Sequence, residues 1–167
     1  MKDQDKPVVL VDVDGTLADV RHRLHHIKGP GKKNWKAFFE LMDRDTPIQE
    51  TIDWVRELAE NHTIWILTGR PDEYRARTVR WLRAQGVPFE KLLMRPRGDH
   101  RPDYVVKADV LREVPRQRIK LVIEDREPVC TMWRQKGVPC HLVASDEENK
   151  AVNEIYRRET GKRKHPK

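Results

Sequence analysis

The stretch Val8–Leu17 constrains the fold of this chain more than any other. It opens with a run of aliphatic residues, which is typical of a buried strand in a parallel sheet. Asp12 and Asp14 follow, two positions apart, and then come Gly15 and Thr16. Residues i and i+2 of a strand point to the same face, so both carboxylates approach one site where the strand ends. Glycine then lets the chain turn away sharply.

Two carboxylates held this close predict either a cation or a reactive group. Like charges at short distance are costly unless a cation lies between them, and hard oxygen ligands suit Mg²⁺. A carboxylate can also attack phosphorus and form an aspartyl-phosphate. The alternative is a solvated Asp-Gly turn after a core strand.

A second apolar run, Thr63–Leu67, ends in polar residues of a different kind. Thr68, Gly69 and Arg70 follow it directly, and a new helix is predicted from Asp72. A hydroxyl and nearby N–H groups at such a point donate hydrogen bonds to phosphoryl oxygens, and an arginine adds a bidentate clamp. The simpler interpretation is an ordinary turn between strand and helix.

Two further signals lie in the second half of the chain. Lys107 falls on a predicted helix over residues 104–111, where an exposed lysine would be unremarkable on its own. The strand predicted over residues 119–123 ends at Glu124 and Asp125, so acidic groups again follow a strand.

These signals, in this order, resemble the four motifs of the haloacid dehalogenase (HAD) phosphohydrolase superfamily. The resemblance implies that Asp12 is the nucleophile and Asp14 the general acid and base. It also implies that Thr68 binds phosphate, that Lys107 offsets negative charge, and that Asp125 binds Mg²⁺. Asp12 and the backbone carbonyl of Asp14 would complete the metal ligands from the chain.

Glu124 departs from the usual motif, in which an aspartate often comes first. The sequence leaves open whether Glu124 reaches Mg²⁺ directly or through water.

A narrower resemblance, to the phosphatase domain of phage-type polynucleotide kinase-phosphatases, covers most of the chain. It is carried by Met94–Arg95, Gly98–Asp99, Arg101, Asp103, Val105–Lys107, Leu121–Arg126, Met132–Arg134, Gly137–Val138 and Val143–Ser145. It implies a DNA or RNA 3′-phosphatase in which Arg23, Arg70, Arg95 and Asp103 also belong to the active site. No Walker A motif is present, so we expect a free-standing phosphatase without a kinase half.

The order of predicted elements favours an α/β fold in a single domain over residues 1–167. About five strands alternate with helices, which indicates a doubly wound, Rossmann-like parallel sheet with its site at the carboxyl edge. Further helices are predicted over residues 46–61, 72–85, 127–136 and 146–160, and further strands near residues 92–94 and 139–143. Residues 161–167 are predicted to be a flexible basic tail.

Residues 18–45 are too many for a simple connection between strand and helix, so we predict a small cap over the strand ends. A helical piece is expected over residues 35–42 of this cap. His22, His25 and His26 have helix-like spacing, but no cysteine or second histidine group completes a zinc site. We interpret them as cap surface or substrate contacts.

Charge points to an anionic partner. The net charge is +7, which favours nucleic acid ends or nucleotides. Arg75, Arg77, Arg80 and Arg83 form a basic helix face that either is simply solvated or contacts nucleic acid. The open alternatives are a phosphatase of small molecules such as nucleotides and, more remotely, an inactive nucleic-acid-binding module. The sequence does not define the oligomeric state.

Cellular location is expected to be cytoplasmic. No apolar run approaches the length needed to span a membrane. Cys130 and Cys140 fit no metal or disulfide pattern, so we interpret them as reduced thiols.

Overall fold

The computed structural model describes residues 5–143 of the 167-residue chain. Its strands are β1 (Val8–Val11), β2 (Ala18–Asp19), β3 (Thr46–Pro47), β4 (Thr63–Pro71), β5 (Lys91–Arg95), β6 (Ile119–Glu124) and β7 (Cys140–Leu142). Its α-helices are α1 (Trp35–Glu40), α2 (Gln49–Leu58), α3 (Arg75–Ala84), α4 (Asp103–Ala108) and α5 (Glu127–Gln135). Short 3₁₀ helices span Arg21–His26, Met42–Arg44, Asp72–Tyr74, Asp109–Arg112 and Arg116–Arg118.

The main sheet has five parallel strands in the order β5-β4-β1-β6-β7, which confirms the predicted α/β fold. β1 is central because it is apolar on both faces and fully buried. Its even-numbered residues, Val8 and Leu10, pack on the side that carries α5, whereas Val9 and Val11 pack on the side of α2 and α3. Helices thus cover both faces, and the carboxyl ends of the strands meet at one edge.

Residues 18–45 form a small layer of their own. β2 and β3 pair antiparallel, so they join the start of this segment to the chain that follows it. A separate apolar cluster of Val20, Leu24, Ile27 and Phe38 fills its interior. We call residues 18–45 the cap.

Two boundaries differ from the sequence prediction. The helix predicted to begin at Thr46 begins at Gln49, because Thr46 and Pro47 pair with Asp19 and Ala18 as a strand. β4 runs on to Pro71, with a shift in its pairing to β5 after Leu67. Thr68, Gly69 and Arg70 therefore lie in an irregular strand end rather than a turn.

The remaining elements agree with expectation to within a few residues. The helix predicted over residues 146–160 and the basic tail lie outside the described residues. Within residues 5–143, no helix has the length and apolar character needed to cross a bilayer.

Candidate active site

Three strand ends bring the predicted motif residues together. Asp12 directly follows β1, and its N–H donates to the carbonyl of Ile123 (3.0 Å), which keeps the two central strands paired up to the site. Glu124 is the last residue of β6 and is 1% exposed. Asp12 is 3% exposed, so the candidate nucleophile lies in a largely desolvated place.

Lys107 is the cation beside Asp12. Its Nζ lies 3.0 Å from Asp12 Oδ1, 2.6 Å from Glu124 Oε2 and 3.1 Å from Asp103 Oδ2. Burial by itself would lower the pKa of Lys107, but these three carboxylates raise it well above its usual value. The lysine is therefore held charged, and it is not the exposed residue of the simpler interpretation.

Asp12, Glu124 and Asp125 form a buried group whose oxygens all lie within 4.8 Å of one another. Burial, followed by repulsion from Asp12, raises the pKa of Glu124 to about 7. The same two causes raise the pKa of Asp125 well above its usual range, and Glu124 adds to the effect. Negative charge is in excess here, and hard carboxylate oxygens are the donors that Mg²⁺ prefers, so the residues fit a divalent cation.

Glu124 has both oxygens occupied by donors of the protein. Oε2 accepts from Lys107, and Oε1 accepts from the N–H groups of Asp125 (3.1 Å) and Arg126 (3.3 Å). Glu124 therefore fixes the turn that presents Asp125 to the cluster.

Gly15 is required by this arrangement. Its φ is +77°, and a Cβ at this position would overlap Oδ2 of Asp125. Only glycine lets the loop after β1 pass so close to a carboxylate of β6's turn.

Asp14 lies in a different group, a cluster of buried charges from the cap and the sheet. Its Oδ1 accepts hydrogen bonds from Arg70 Nη2 (2.7 Å) and Arg23 Nη2 (2.8 Å). Both arginines also contact Asp45, at 2.7 Å for Arg23 and 3.1 Å for Arg70. We call Asp14, Arg23, Arg70 and Asp45 the buried ion cluster.

The two arginines of the buried ion cluster have no exposed side-chain surface and are further anchored. Arg23 donates to the carbonyl of Phe38 and lies over its ring, 4.2 Å from the centroid. Arg70 Nη1 donates to Thr78 Oγ1 (3.2 Å). Burial would raise the pKa of Asp14, but Arg70 and Arg23 outweigh it and hold that pKa below its usual range.

Asp103 pairs with three cations of the site. It contacts Lys107, Arg126 Nη1 (2.8 Å) and Arg95 Nη2 (3.3 Å). Burial opposes ionisation, but Lys107 and the two arginines lower the pKa of Asp103 to about 2. A Cβ on Gly69 would overlap Oδ1 of Asp103, which explains glycine at this position of β4.

Two hydroxyls lie close to the candidate nucleophile and phosphate clamp. Thr16 Oγ1 donates to Asp12 Oδ2 (3.2 Å). Thr68 is 1% exposed, and its Oγ1 accepts from the N–H of Arg70 (3.2 Å), which orients the strand end.

A cleft of about 340 Å³ opens beside Asp14. The cap forms one wall and the loop after β5 forms the other. The lining residues are Asp14, Trp35, Phe39, Gly69, Pro71, Glu73, Arg95, Pro96, Gly98, Asp99, His100, Arg101, Asp103 and Arg126. The cleft thus places Asp14 and Asp103 beside an aromatic surface and a basic loop.

The structure brings most sequence-predicted residues into these groups, although only Asp14, Gly69, Arg95 and Asp103 of them line the cleft. Two participants were missed by the sequence reasoning. Asp45 ends the cap with no motif around it, and its partners lie 22 and 25 residues away. Arg126 directly follows Glu124 and Asp125, so its position next to that motif was a usable signal.

Other sequence candidates lie apart from the cleft. His22 contacts Asp45 at 2.6 Å, and the His25 and His26 rings lie 4.0 Å apart. On α3, Arg75 donates to the carbonyl of Leu92, and Arg77 pairs with Asp43. Nucleic-acid contact by this helix face stays a prediction.

Comparison with solved structures identifies the fold. L-2-haloacid dehalogenase from Xanthobacter autotrophicus matches with a TM-score of 0.56 at 17% identity, covering 90% of this chain and 82% of that one. HAD-hydrolase YfnB from Bacillus subtilis, solved with bound magnesium, matches with a TM-score of 0.55 at 12% identity, covering 81% and 87%. The fold is that of the HAD hydrolases.

The family is narrower. The model of the polynucleotide kinase PNKP phosphatase domain matches residues 6–147, so the chain belongs to this family of HAD phosphatases. A chain of the Pnkp1/Rnl/Hen1 RNA repair complex matches with a TM-score of 0.69 at 25% identity. That match covers 85% of this chain but only 44% of the other, so this chain spans less than half the length of its relative.

Proposed function

We propose that this phosphatase is a Mg²⁺-dependent phosphomonoesterase that removes 3′-phosphates from polynucleotide ends through an aspartyl-phosphate. The observation that carries the proposal is Asp12 at the end of the central strand, 3.0 Å from Lys107 and grouped with two further buried carboxylates. Membership of the PNKP phosphatase family supports the polynucleotide end as substrate.

Asp12 and Asp125 would hold Mg²⁺, together with the backbone carbonyl of Asp14. Glu124 would reach it through water, since both of its oxygens already accept hydrogen bonds from the protein. When bound, the cation supplies positive charge next to the phosphoryl oxygens.

The first step of the proposed reaction transfers the phosphoryl group to Asp12. A carboxylate oxygen of Asp12 forms a bond to phosphorus while the bond between phosphorus and the 3′ oxygen breaks. Asp14 gives its proton to the leaving oxygen, which departs as the 3′ hydroxyl. Lys107, Thr68 and Arg70 stabilise the equatorial oxygens.

In the second step, water hydrolyses the aspartyl-phosphate. Asp14, now ionised, takes a proton from the water, whose oxygen attacks phosphorus. Inorganic phosphate leaves, and the Asp12 carboxylate is restored with Asp14 protonated again.

The acid role of Asp14 depends on the substrate. In the free protein the two arginines favour its ionised form. A phosphate dianion beside Asp14 competes for Arg70 and adds negative charge, and both effects raise the pKa of Asp14. Asp14 therefore acquires its proton as substrate binds.

The proposal is tested by Mg²⁺-dependent phosphate release from matched substrates. The panel contains a 3′-phosphorylated oligonucleotide, its 5′-phosphorylated twin, and 3′- and 5′-mononucleotides, with Asp12→Asn as the blank. We expect a strong preference for the 3′-phosphorylated oligonucleotide and no turnover by the blank. Near-native turnover by Asp12→Asn would contradict the mechanism.

A nucleotidase is the second candidate, and the size of the cleft favours it. About 340 Å³ lies at the lower end of the range for small-ligand pockets, so a mononucleotide fits. Equal or faster turnover of mononucleotides in the same panel would select this function. Binding of oligonucleotide without any hydrolysis would instead indicate an inactive binding module.

A further inference from the structure

The cap presents two aromatic side chains to the cleft. Trp35 and Phe39 lie one turn apart on α1, and their rings are nearly parallel, at 25°, with centroids 6.0 Å apart. The Phe39 ring also packs against the ring of Tyr74, with centroids 5.3 Å apart. We call Trp35 and Phe39 the aromatic wall.

The buried interior of the cap is filled by a different aromatic residue, and Trp35 and Phe39 pack against its ring. Phe38 fills that role, since it is 1% exposed and packs against Val20, Leu24 and Ile27. Trp35 and Phe39 are only partly buried and lie at the edge of this cluster. Their partly exposed rings give the cleft an aromatic surface.

The opposite wall differs in chemistry. Arg95 donates to the carbonyls of Gly69 and Arg101, and Arg101 pairs with Asp99 (2.6 Å) and Asp109 (2.7 Å). Both arginines therefore already have protein partners. Their wall of the cleft is polar, which suits the sugar or backbone of a nucleotide. The two walls together match a nucleotide, which has one flat apolar part and one polar part.

Asp14 fixes which part of the substrate enters this cleft. In the proposed reaction Asp14 protonates the leaving oxygen, so the leaving group lies next to Asp14, and Asp14 lines the same cleft as the aromatic wall. The leaving group of a 3′-phosphatase is the terminal nucleoside. In the proposed reaction this nucleoside therefore occupies the cleft that the aromatic wall lines.

We propose that Trp35 and Phe39 form a stacking subsite for the base of the 3′-terminal nucleotide. This inference rests on the proposed function and adds a substrate-binding role to the cap. Stacking on an aromatic face needs no hydrogen-bonding edge, so the subsite accepts any base. It gives the enzyme affinity for the terminal nucleoside without sequence specificity.

The test compares two 3′-phosphorylated oligonucleotides that differ only at the last position, a normal base or an abasic sugar. Trp35→Leu keeps an apolar side chain but removes the ring, and we expect it to raise KM for the normal end by about tenfold. KM for the abasic end should stay unchanged. Trp35→Phe should restore most of the difference between the two substrates.

Trp54→Leu is the matched control. Trp54 is also partly buried, but it packs on His141 with ring centroids 5.0 Å apart and does not line the cleft. This variant should leave both KM values unchanged, whereas thermal unfolding of each variant reports loss of folding separately.

A binding measurement supports the kinetics. A terminal 2-aminopurine should be quenched on binding to Asp12→Asn, and adding Trp35→Leu should weaken that quenching. Equal effects of Trp35→Leu on normal and abasic ends, or unchanged quenching, would overturn the stacking subsite. Absence of turnover on every phosphate ester would instead overturn the proposed function, so the two failures are distinguishable.

Discussion

Asp12 and Asp14 are separated by one residue yet have different surroundings. Asp12 contacts one lysine and one threonine hydroxyl, in the group that also holds Glu124 and Asp125. Asp14 is turned into two arginines of the buried ion cluster. Two carboxylates in different surroundings can take different roles, which is consistent with one acting as nucleophile and the other as acid and base.

At the residue scale, Gly15→Ala should weaken Mg²⁺ binding and also lower the free energy of unfolding. Its matched control is Gly137→Ala, since both glycines have φ of +77° but a Cβ on Gly137 meets nothing within 4 Å. Gly137→Ala should lower the free energy of unfolding by about 1 kcal/mol from backbone strain alone. Gly15→Ala should lower it further and weaken Mg²⁺ binding, because Asp125 must move.

Calorimetric titration with Mg²⁺ and urea unfolding measure the two effects. Equal Mg²⁺ affinity in the two alanine variants would show that the closeness of Gly15 to Asp125 does not position the metal ligand.

Glu124 should make the metal-free protein less stable as pH rises. Its pKa is raised from 4.5 to about 7, so between these values the folded state binds more protons than the unfolded chain. Stability is then present below the unfolded pKa and is lost as pH rises through the folded pKa. Glu124→Gln removes this titration. The free energy of unfolding of the native protein, relative to that of the variant, should therefore decrease between pH 4.5 and about 7.

Urea unfolding of both proteins in chelator, repeated over the pH window, measures the difference. Saturating Mg²⁺ should abolish the loss for the native protein, because a nearby cation favours the ionised carboxylate. An advantage that stays constant with pH would contradict the raised pKa.

The positions of candidate residues in the fold were predictable where polar residues directly follow an apolar run. Asp12, Asp14, Glu124 and Asp125 each follow an apolar strand run, and such runs are visible in a single sequence. Asp45 was invisible because its meaning comes from two arginines brought close only by the fold. Long-range ion pairs leave no local pattern to detect.

At the element scale, the buried ion cluster joins the cap to the sheet. Arg23 and Asp45 belong to the cap, Asp14 follows β1, and Arg70 belongs to β4. Trp81 of α3 adds a hydrogen bond from its indole N–H to the carbonyl of Asp45 (2.9 Å). The cap is therefore fixed to the core by charge at Asp14, the proposed acid and base.

Asp45→Asn should strongly destabilise the fold. The Asp45 side chain has no exposed surface, and its loss of charge leaves Arg23 and Arg70 facing Asp14 alone. Breaking a buried pair in this way costs about 3–5 kcal/mol. Asp43→Asn is the matched control, because its ion pair with Arg77 is partly exposed and is worth about 1 kcal/mol or less.

Urea unfolding of the two variants measures the stability that each substitution removes. Similar small losses for Asp45→Asn and Asp43→Asn would mean that the buried ion cluster contributes little to stability.

Element boundaries were predictable to the extent that they depend on local pattern. The strands of the main sheet follow apolar runs, and all five were found at nearly their observed positions. Thr46 and Pro47 were assigned to a helix, because a threonine followed by proline is typical of a helix start. Their pairing with β2 overrides that local preference, since it is made by residues 27 or more positions earlier.

At the scale of the whole molecule, the net charge of +7 predicts a dependence on salt. A polynucleotide that contacts several basic groups releases counterions on binding, so log(kcat/KM) should fall linearly with log salt, with a slope near −0.7 per phosphate contact for a single strand. A 3′-mononucleotide should show almost no slope. Steady-state kinetics over a salt series, with both substrates in parallel, measures this.

Equal slopes for the two substrates would indicate that the positive charge does not contact the polynucleotide. The charge would then serve solubility, and the nucleotidase would be favoured.

The narrow cleft between cap and core has a consequence for paired ends. The cap wall cannot move away from the sheet without pulling apart the charges of Asp14, Arg23, Arg70 and Asp45. A space of about 340 Å³ takes one nucleotide rather than a base pair. The 3′ end of a duplex would thus have to fray before its phosphate reacts, at the energetic cost of unpairing and unstacking the last base. Duplex ends with a weak terminal base pair would lose their 3′-phosphate before ends with a strong one.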